Sequence, residues 1–155
     1  MFEHVNSQYY RIFMETVSRL LKPGGLCLLH TVGGNMSRKI GDPWLNTYIF
    51  PHSQLPSLAQ ISTASEGLLV IEDVHNFGPH YDRTLMTWYR NFTDNFDKIN
   101  EIRVSEGNTP LDNKFKRMWD YYLLMCAGSF RGRQCQLYQV VLTKGKSEIY
   151  VRPSY

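Results

Sequence analysis

The feature that most constrains this sequence is a run of apolar residues enclosed by glycines. Leu26–Gly34 has the sequence Leu-Cys-Leu-Leu-His-Thr-Val-Gly-Gly, and Pro23-Gly24-Gly25 stands directly before it. Four neighbouring apolar residues between two turn signals are typical of a short strand that is buried on both faces. We therefore predict an interior strand at Leu26–His30.

An amphipathic helix is predicted just before this strand, over Val5–Leu21. Its apolar residues recur every three or four positions, at Tyr9, Phe13, Val17 and Leu20 or Leu21. Asn6 or Ser7 would cap its start, and Lys22-Pro23-Gly24 would end it. A helix that leads through a tight turn into a buried strand is half of an α/β crossover unit.

The rest of the chain predicts a second half of an α/β domain. In order we expect an aperiodic loop over Asn35–Pro56, a helix over Pro56–Glu66 with Leu58, Ile61 and Ala64 inward, a strand over Leu68–Ile71, a long helix from about His80 to Arg103, a helix over Leu111–Phe130 and a strand over Gln136–Thr143. The last strand follows a long insertion, so we expect it to be antiparallel. For residues 145–155 the sequence does not decide between a frayed strand and a tail.

Composition excludes several classes of protein. With 155 residues, 43% hydrophobic and 20% charged, the chain suits one globular domain. A net charge of +3 is too small to indicate nucleic-acid binding. The three cysteines have no Cys-x-x-Cys pair, which favours reduced thiols, and no signal peptide or membrane-spanning run is present. We therefore expect a cytoplasmic location, or attachment to the inner membrane face.

Taken singly, the chemically interesting residues each have an ordinary alternative. His30 stands at the carboxyl end of its strand, where α/β sheets bind ligands, but a core histidine is an equal alternative. Asp73 and His75 lack a second pair of metal ligands, so no metal is expected. The two long helices have aromatic faces, which suit a core or an apolar ligand groove.

Several segments together carry a resemblance that none carries alone. They are Met-Phe-Glu-His-Val, Leu-Lys-Pro-Gly-Gly-Leu, Leu-Leu-His-Thr-Val-Gly, Asp-Pro-Trp-Leu-Asn-Thr-Tyr-Ile-Phe-Pro, Leu-Pro-Ser-Leu-Ala-Gln-Ile, Glu-Asp-Val-His-Asn-Phe-Gly, Tyr-Asp-Arg-Thr-Leu-Met-Thr-Trp, Tyr-Tyr-Leu-Leu-Met-Cys-Ala-Gly-Ser-Phe-Arg and Gln-Leu-Tyr-Gln-Val-Val. In order and spacing, from Met1 to about Lys144, they resemble the C-terminal part of the cyclopropane-fatty-acyl-phospholipid synthases. The chain departs from the family pattern at Asn6, Val74 and Tyr138.

The resemblance implies a class I methyltransferase fold of Rossmann type that uses S-adenosylmethionine. Enzymes of this family methylate a cis double bond of a phospholipid acyl chain and then remove a proton, which closes a cyclopropane ring. The resemblance also implies a bicarbonate ion as the base. The ligands of this ion in the family correspond to Glu3, His30, the main chain at Val32, and Tyr81 of this sequence.

The same resemblance suggests where the lipid would lie. A carbocation formed on the acyl chain requires a dry site with aromatic faces. Trp88, Phe92 and Tyr122 would provide such faces, and Arg131 and Arg133 would suit a lipid phosphate. The glycine-rich S-adenosylmethionine loop and a contributing cysteine of the family have no counterpart here, so no cofactor-binding residue is predicted.

Three hypotheses follow for a chain that resembles only part of an enzyme. It is the C-terminal portion of a synthase (1–155 as one partial domain, inactive alone), a stand-alone module that binds apolar ligands or membranes, or one component of an enzyme assembled in trans. In the family's sheet, Leu26–His30 pairs with a strand that this sequence lacks. We therefore expect self-association through that open edge.

Overall fold

The chain forms two compact units. The computed structural model describes residues 1–145, 150 and 151. One unit contains Met1–Phe77 together with the chain from Cys135 onward, and the other contains Gly78–Gln134. In chain order the helices and strands are Tyr10–Leu20 (α1), Leu26–Gly34 (β1), Pro43–Tyr48 (α2), Leu58–Ser65 (α3), Val70–Asn76 (β2), Gly78–Asp94 (α4), Phe96–Ser105 (α5), Asn113–Arg131 (α6) and Cys135–Thr143 (β3). The two alternatives for residues 145–155, a frayed strand or a tail, fall mostly outside the described residues.

The last strand occupies the middle of the sheet. Among the described residues the sheet has three strands in the order β1-β3-β2, and β3 is antiparallel to both neighbours. The pairing with β1 is regular from Leu26↔Thr143 to Gly34↔Cys135, whereas β2 has an irregularity between Ile71 and Asp73. These observations confirm the predicted α/β class, the three strands and the antiparallel direction of the last one.

The predicted burial of β1 on both faces is wrong. Burial alternates along the strand, with Leu29 at 6% exposure and Thr31 at 0%, whereas Leu26 is 43% and Leu28 57% exposed. His30 belongs to the exposed set, so it is not a core histidine. The strand also continues to Gly34, beyond the predicted end at His30. Within the described chain β1 pairs with β3 on one side, so it is an edge strand rather than an interior one.

The core of the first unit packs α1 and α3 on the inner sheet face. It includes Met14, Ile61, Val140 and Leu142, all completely buried. The α1 helix begins later than predicted, at Tyr10, after a 3₁₀ turn over Ser7–Tyr9 that Asn6 caps by accepting a hydrogen bond from the Gln8 N–H at 3.2 Å. Its inner face differs from the predicted one at the start of the helix.

The difference concerns the two adjacent tyrosines. Tyr10 is 3% exposed, whereas Tyr9 is 51% exposed, and Leu20 at 76% lies outside the core as well. The helix ends as predicted, with Leu21 extended and the Gly25 N–H donating to Lys22 O at 2.9 Å. The predicted inner face was therefore correct at Phe13, at Val17 and at Leu21, one of the two alternatives for its last position, and wrong at Tyr9.

The α3 helix begins at a capping box. Ser57 Oγ accepts from the Gln60 N–H at 3.1 Å, and Gln60 Oε1 accepts from the Ser57 N–H at 3.0 Å. Ile61 and Ala64 are buried as predicted, but Leu58 is 36% exposed. Gly67 follows in the left-handed region at φ 70°, which suits glycine as the helix stop. The next strand begins two residues later than predicted and continues to Asn76.

The second unit is helical, and its predicted long helix is two helices. The break falls at Asn95, with φ −112° and ψ 9°. Both the Asn95 N–H and its Nδ2 donate to the Asn91 carbonyl, at 3.2 and 2.8 Å. A side chain that competes with the main chain for a carbonyl weakens a helix, and Thr93-Asp94-Asn95 are weak helix formers. The prediction of one helix from His80 to Arg103 is therefore wrong.

The α6 helix is close to its predicted bounds. Asp112 caps it by accepting from the Phe115 N–H at 2.7 Å, and Gly132 ends it. Tyr122 is buried on its inner face as predicted, together with Leu123, Ala127 and Phe130. Over residues 1–145, 150 and 151, none of the helices combines the length and apolar character required to cross a bilayer.

Candidate functional site at the carboxyl end of the first strand

The 3₁₀ turn Phe2–His4 brings Glu3 to the end of β1. Phe2 is 1% exposed, and its ring stacks on the Tyr10 ring at a centroid distance of 4.4 Å. The same ring meets the Phe13 ring edge-on at a centroid distance of 5.0 Å. This anchor directs Glu3 to the strand, where Glu3 Oε1 accepts the Val32 N–H at 2.6 Å. Two residues implicated by the resemblance, Glu3 and the main chain at Val32, are thus in direct contact.

The Glu3 carboxylate is partly buried and well supplied with donors. Its side chain is 18% exposed, and Oε2 accepts from the Met1 amino group at 3.0 Å. Burial alone acts to raise the pKa of Glu3, but hydrogen bonds from the N–H groups of Glu3 and Val32, the amino group and Thr31 together outweigh it and lower the pKa. Glu3 is therefore an anion at neutral pH.

His30 lies two residues before Val32 on the same strand. Its Nδ1 is 3.4 Å from Gln139 Nε2, and its ring meets the edge of Phe77 at a centroid distance of 5.7 Å. A histidine ring nitrogen can donate or accept a hydrogen bond, depending on the tautomer. The exposed imidazole can therefore present an N–H to an acceptor.

The two glycines at the end of β1 allow the main chain to approach its neighbours closely. A Cβ on Gly33 would lie 2.5 Å from the Tyr138 ring and 2.8 Å from Pro56 O. The Gly34 N–H donates to Pro56 O at 2.9 Å, which joins the strand to the start of α3. This packing fixes the main chain directly after Val32.

Gln54 is a buried residue of this region that the sequence did not indicate. It is 4% exposed, its N–H donates to Glu3 O at 2.7 Å, and its Oε1 accepts from the Ser7 N–H at 3.2 Å. Its Nε2 also donates to Arg38 O. The segment predicted as a loop over Asn35–Pro56, which contains the short helix α2, is thereby tied to the turn that carries Glu3. A glutamine in an aperiodic segment gives no signal of such a role.

A chain of carboxamides crosses the same end of the sheet. Asn76 Nδ2 donates to Gln136 Oε1 at 3.0 Å, and Gln136 Nε2 donates to Asn35 Oδ1 at 3.1 Å. Gln136 is 3% exposed, so its hydrogen bonds fix the start of β3 relative to the ends of the other strands. Sequence reasoning did not single out these residues.

The predicted aromatic residues form ring contacts within the second unit. Tyr81 contacts Trp88 at 5.9 Å and Phe130 at 5.0 Å, and Phe92 contacts Trp119 at 5.9 Å. Trp119 also meets the Tyr122 ring edge-on at 5.5 Å. Burial, with smaller effects of Cys126 and Tyr81, raises the pKa of Tyr122 to about 12. These contacts form two groups of rings within the unit, one around Tyr81 and one around Trp119.

The two predicted phosphate-binding arginines differ in their surroundings. Arg131 is 64% exposed and forms a two-pronged ion pair with Asp82, with Nε–Oδ2 at 2.9 Å and Nη2–Oδ1 at 3.0 Å. Its guanidinium fork is thus occupied by a carboxylate. Arg133 lies in the turn after α6 at φ 57°.

Asp73 and His75 do not form a metal centre within residues 1–145, 150 and 151. No group of three or more His, Cys, Asp or Glu side chains in that part of the chain could hold a metal ion. Asp73 Oδ2 instead accepts a hydrogen bond from the Tyr150 hydroxyl at 2.6 Å. His75 lies in β2 beside Phe77, at 5.1 Å between ring centroids.

Solved structures define the class of protein. The chain is similar to the cyclopropane synthase MmaA2 from Mycobacterium tuberculosis, with a TM-score of 0.78 and 23% identity over 92% of this chain and 52% of that one. It is also similar to the mycolic acid cyclopropane synthase CmaA1 complexed with SAH and CTAB, with a TM-score of 0.77 and 25% identity over the same shares. The fold is that of part of a class I methyltransferase.

The sequence comparison identifies the family. The model of the mycolic acid cyclopropane synthetases matches residues 1–140, and this chain belongs to that family. It is 48% identical over 145 residues to the cyclopropane-fatty-acyl-phospholipid synthase of Escherichia coli K12, which covers 94% of this chain and 36% of that protein. The chain thus spans about a third of this relative. The SAH complex of CmaA1 supports S-adenosylmethionine as the family's methyl donor.

Proposed function

We propose that this chain is the C-terminal portion of a cyclopropane-fatty-acyl-phospholipid synthase and carries its base-binding end. The observation that carries the proposal is the hydrogen bond from the Val32 N–H to the Glu3 carboxylate at the end of β1, two residues after His30. In that reaction the alkene takes the methyl group from the sulfonium of S-adenosylmethionine. A proton then leaves the added methyl group as the ring closes.

The groups at the end of β1 suit a small base anion such as bicarbonate. Bicarbonate has one hydroxyl to donate and further oxygens that accept, and the site offers both complements: the ionised Glu3 as acceptor and the N–H groups of Val32 and His30 as donors. The resemblance adds the Tyr81 hydroxyl as a further ligand. When bound, bicarbonate would accept the departing proton.

The chain's own residues would orient this base rather than react. Glu3 would hold the hydroxyl of the anion, and the main-chain N–H would fix one oxygen at a rigid position, since Gly33 and Gly34 pack directly behind it. In the second unit, the rings of Trp88, Phe92 and Tyr122 would exclude water from the acyl chain and face developing positive charge. Arg131 and Arg133 would suit a lipid phosphate, although in the free chain Asp82 occupies the fork of Arg131.

A chimaera tests this proposal. The matching C-terminal portion of the E. coli synthase is replaced by this chain, and cyclopropane fatty acids are quantified by gas chromatography in a strain that lacks its own synthase. We expect product, and we expect Glu3→Gln to lower it by ~10²-fold, because base positioning typically contributes at least that factor. Glu15→Gln, at a side chain that is 52% exposed on α1, is the matched control.

Two outcomes would contradict the proposal. One is a folded, soluble chimaera that forms no cyclopropane lipid. The other is a Glu3→Gln chimaera that is as active as the Glu15→Gln control. Retention of fatty acid by the isolated chain without any activity of the chimaera would favour the alternative of a stand-alone module for apolar ligands.

We also propose that the isolated chain associates with itself and with lipid surfaces. The β1 strand pairs on one side with β3 and exposes Leu26 and Leu28, a combination that proteins usually cover. Light scattering should show a dimer or larger species that Leu28→Lys dissociates. Flotation with phospholipid vesicles tests whether the chain binds lipid, as a protein at the cytoplasmic membrane face would. A native chain that is monomeric would reject the proposed self-association. A native chain that does not float with the vesicles would reject the proposed lipid binding.

A further inference from the structure

Tyr10 carries a buried hydroxyl that has no hydrogen-bond partner among the described residues. The residue is 3% exposed, and its ring stacks on Phe2 with an interplanar angle of 22°. Leaving a buried hydroxyl unpaired is unfavourable, so such groups are rare and require an explanation. A phenylalanine would fill the same space without that cost. The hydroxyl therefore points to a partner that the side chain acquires in another state of the site.

Glu3 is the acidic residue that adjoins the Phe2–Tyr10 ring pair. It directly follows Phe2, the residue that stacks on Tyr10. Burial, with a further contribution from the Glu3 charge, raises the pKa of Tyr10 to about 12. The phenol therefore stays protonated, as a donor, at neutral pH, where Glu3 is ionised.

The Val32 N–H is needed twice. In this structure it donates to Glu3 Oε1 at 2.6 Å, and the proposed function assigns the same N–H to the base anion. One main-chain donor cannot serve both acceptors with good geometry. When the anion takes the N–H, Glu3 Oε1 loses this hydrogen bond. The Glu3 side chain is only 18% exposed, so water has little access to replace the lost donor.

We propose that Tyr10 is a positioning residue that donates its Oη–H to Glu3 when the Val32 N–H passes to the anion. The inference rests on the proposed function for the identity of the anion. The exchange keeps the number of hydrogen bonds to the carboxylate constant and pairs the phenol at the same time. The unpaired hydroxyl of the free state thus favours binding of the anion, and the Tyr10 hydroxyl keeps Glu3 charged and aligned with it.

Removing the Val32 N–H should produce the same exchange without any anion. Val32→Pro removes this donor, which bonds to Glu3 rather than to β3, and proline is tolerated on an edge strand at such a position. The pKa of Glu3 is measured by ¹³C NMR of its labelled carboxyl group in four chains: native, Tyr10→Phe, Val32→Pro and the double variant.

The effect of Tyr10→Phe on the pKa of Glu3 should depend on whether the Val32 N–H is present. In Val32→Pro, the additional Tyr10→Phe change should raise the pKa of Glu3 by about one pH unit, which is the loss of one hydrogen bond to the charged form. In the native background the same change should move it by less than about 0.3. Equal effects in both backgrounds, or no effect in either, would overturn the proposal. If Val32→Pro fails to fold by circular dichroism, replacement of the Val32 amide by an ester removes the same N–H and takes its place.

A second measurement separates this inference from the proposed function. Binding of ¹³C-bicarbonate is titrated by NMR on the native chain, Tyr10→Phe and the matched control Tyr9→Phe, whose ring is exposed. We expect about tenfold weaker binding for Tyr10→Phe and no change for Tyr9→Phe. Binding that is equal in all three overturns the inference and leaves the anion site standing. A native chain that does not bind bicarbonate rejects the anion assignment, and the pKa comparison then still decides the role of Tyr10.

Discussion

The two units hold their functionally implicated residues by different forces. In the first unit Glu3 and Val32 are joined by a hydrogen bond, and Gln54 ties the turn of Glu3 to the following loop. In the second unit Tyr81 is fixed by ring contacts with Trp88 and Phe130. Hydrogen bonds to a charged group depend on pH and on individual atoms, whereas ring packing depends on volume. The first unit should therefore respond to polar changes and the second to cavities.

The largest effect is expected from a cavity in the second unit. Phe130 is 4% exposed and contacts the Tyr81 ring at 5.0 Å. Phe130→Ala should lower the free energy of unfolding by ~3–5 kcal/mol, because the cavity adds to the lost burial. Urea denaturation measures it, with Leu124→Ala, at a side chain that is 42% exposed, as the control. Equal losses in the two variants would contradict the view that ring packing holds this unit.

An intermediate effect should come from a pair of glycine substitutions, one in each unit. Gly33→Ala places a Cβ 2.5 Å from the Tyr138 ring and should cost about 1–3 kcal/mol of unfolding free energy. Gly128→Ala lies in α6 with no other atom within 4 Å of the added Cβ, so it should stabilise by about 0.5–1 kcal/mol. Thermal or urea unfolding would compare them. A Gly33→Ala chain that is as stable as native would show that the close approach at the end of β1 is not required.

The smallest effect is a pH dependence that we expect from Glu3 in the first unit. Because the pKa of Glu3 is lowered in the folded chain, its contribution to stability is present above the ordinary value of 4.5 and is lost as the pH falls through the folded pKa. Between about pH 5 and the acid limit, the unfolding free energy of the native chain should therefore fall more steeply than that of Glu3→Gln. The difference between the two curves should stay constant once the carboxyl group is protonated. Parallel curves over this range would show that the hydrogen bonds of Glu3 do not favour its ionised form.

Sequence patterns predicted most elements because their signals are local. Glycine and proline marked the helix ends at Lys22–Gly24, Gly67 and Gly132, and β-branched residues marked β3. The break at Asn95 was missed because the apolar period continues through it, whereas the competition for the Asn91 carbonyl depends on a side-chain conformation. Tyr9 and Tyr10 were exchanged because periodicity fixes the phase of a helix only to about one residue when aromatic residues are adjacent.

The candidate site was less accessible to such reasoning. Glu3 and Val32 are 29 positions apart, and no periodic pattern links a carboxylate to a main-chain N–H at that distance. Their selection depended on the family resemblance. Gln54 and Tyr10 were not selected, because a buried hydrogen bond or an unpaired hydroxyl is a property of the assembled structure. The exposure of β1 was missed for a related reason: an apolar run does not reveal how many of its faces are covered.

The central position of β3 has a consequence for synthesis of the protein. On the ribosome, β1 and β2 emerge first, and their shared neighbour follows only after the whole helical unit has been translated. Until then neither strand has β3 beside it, so the main-chain groups that β3 will pair with are open to other chains. The nascent protein should therefore need chaperone protection over this interval, and a stop codon at Cys135 should leave a product that aggregates although all six α-helices have been made.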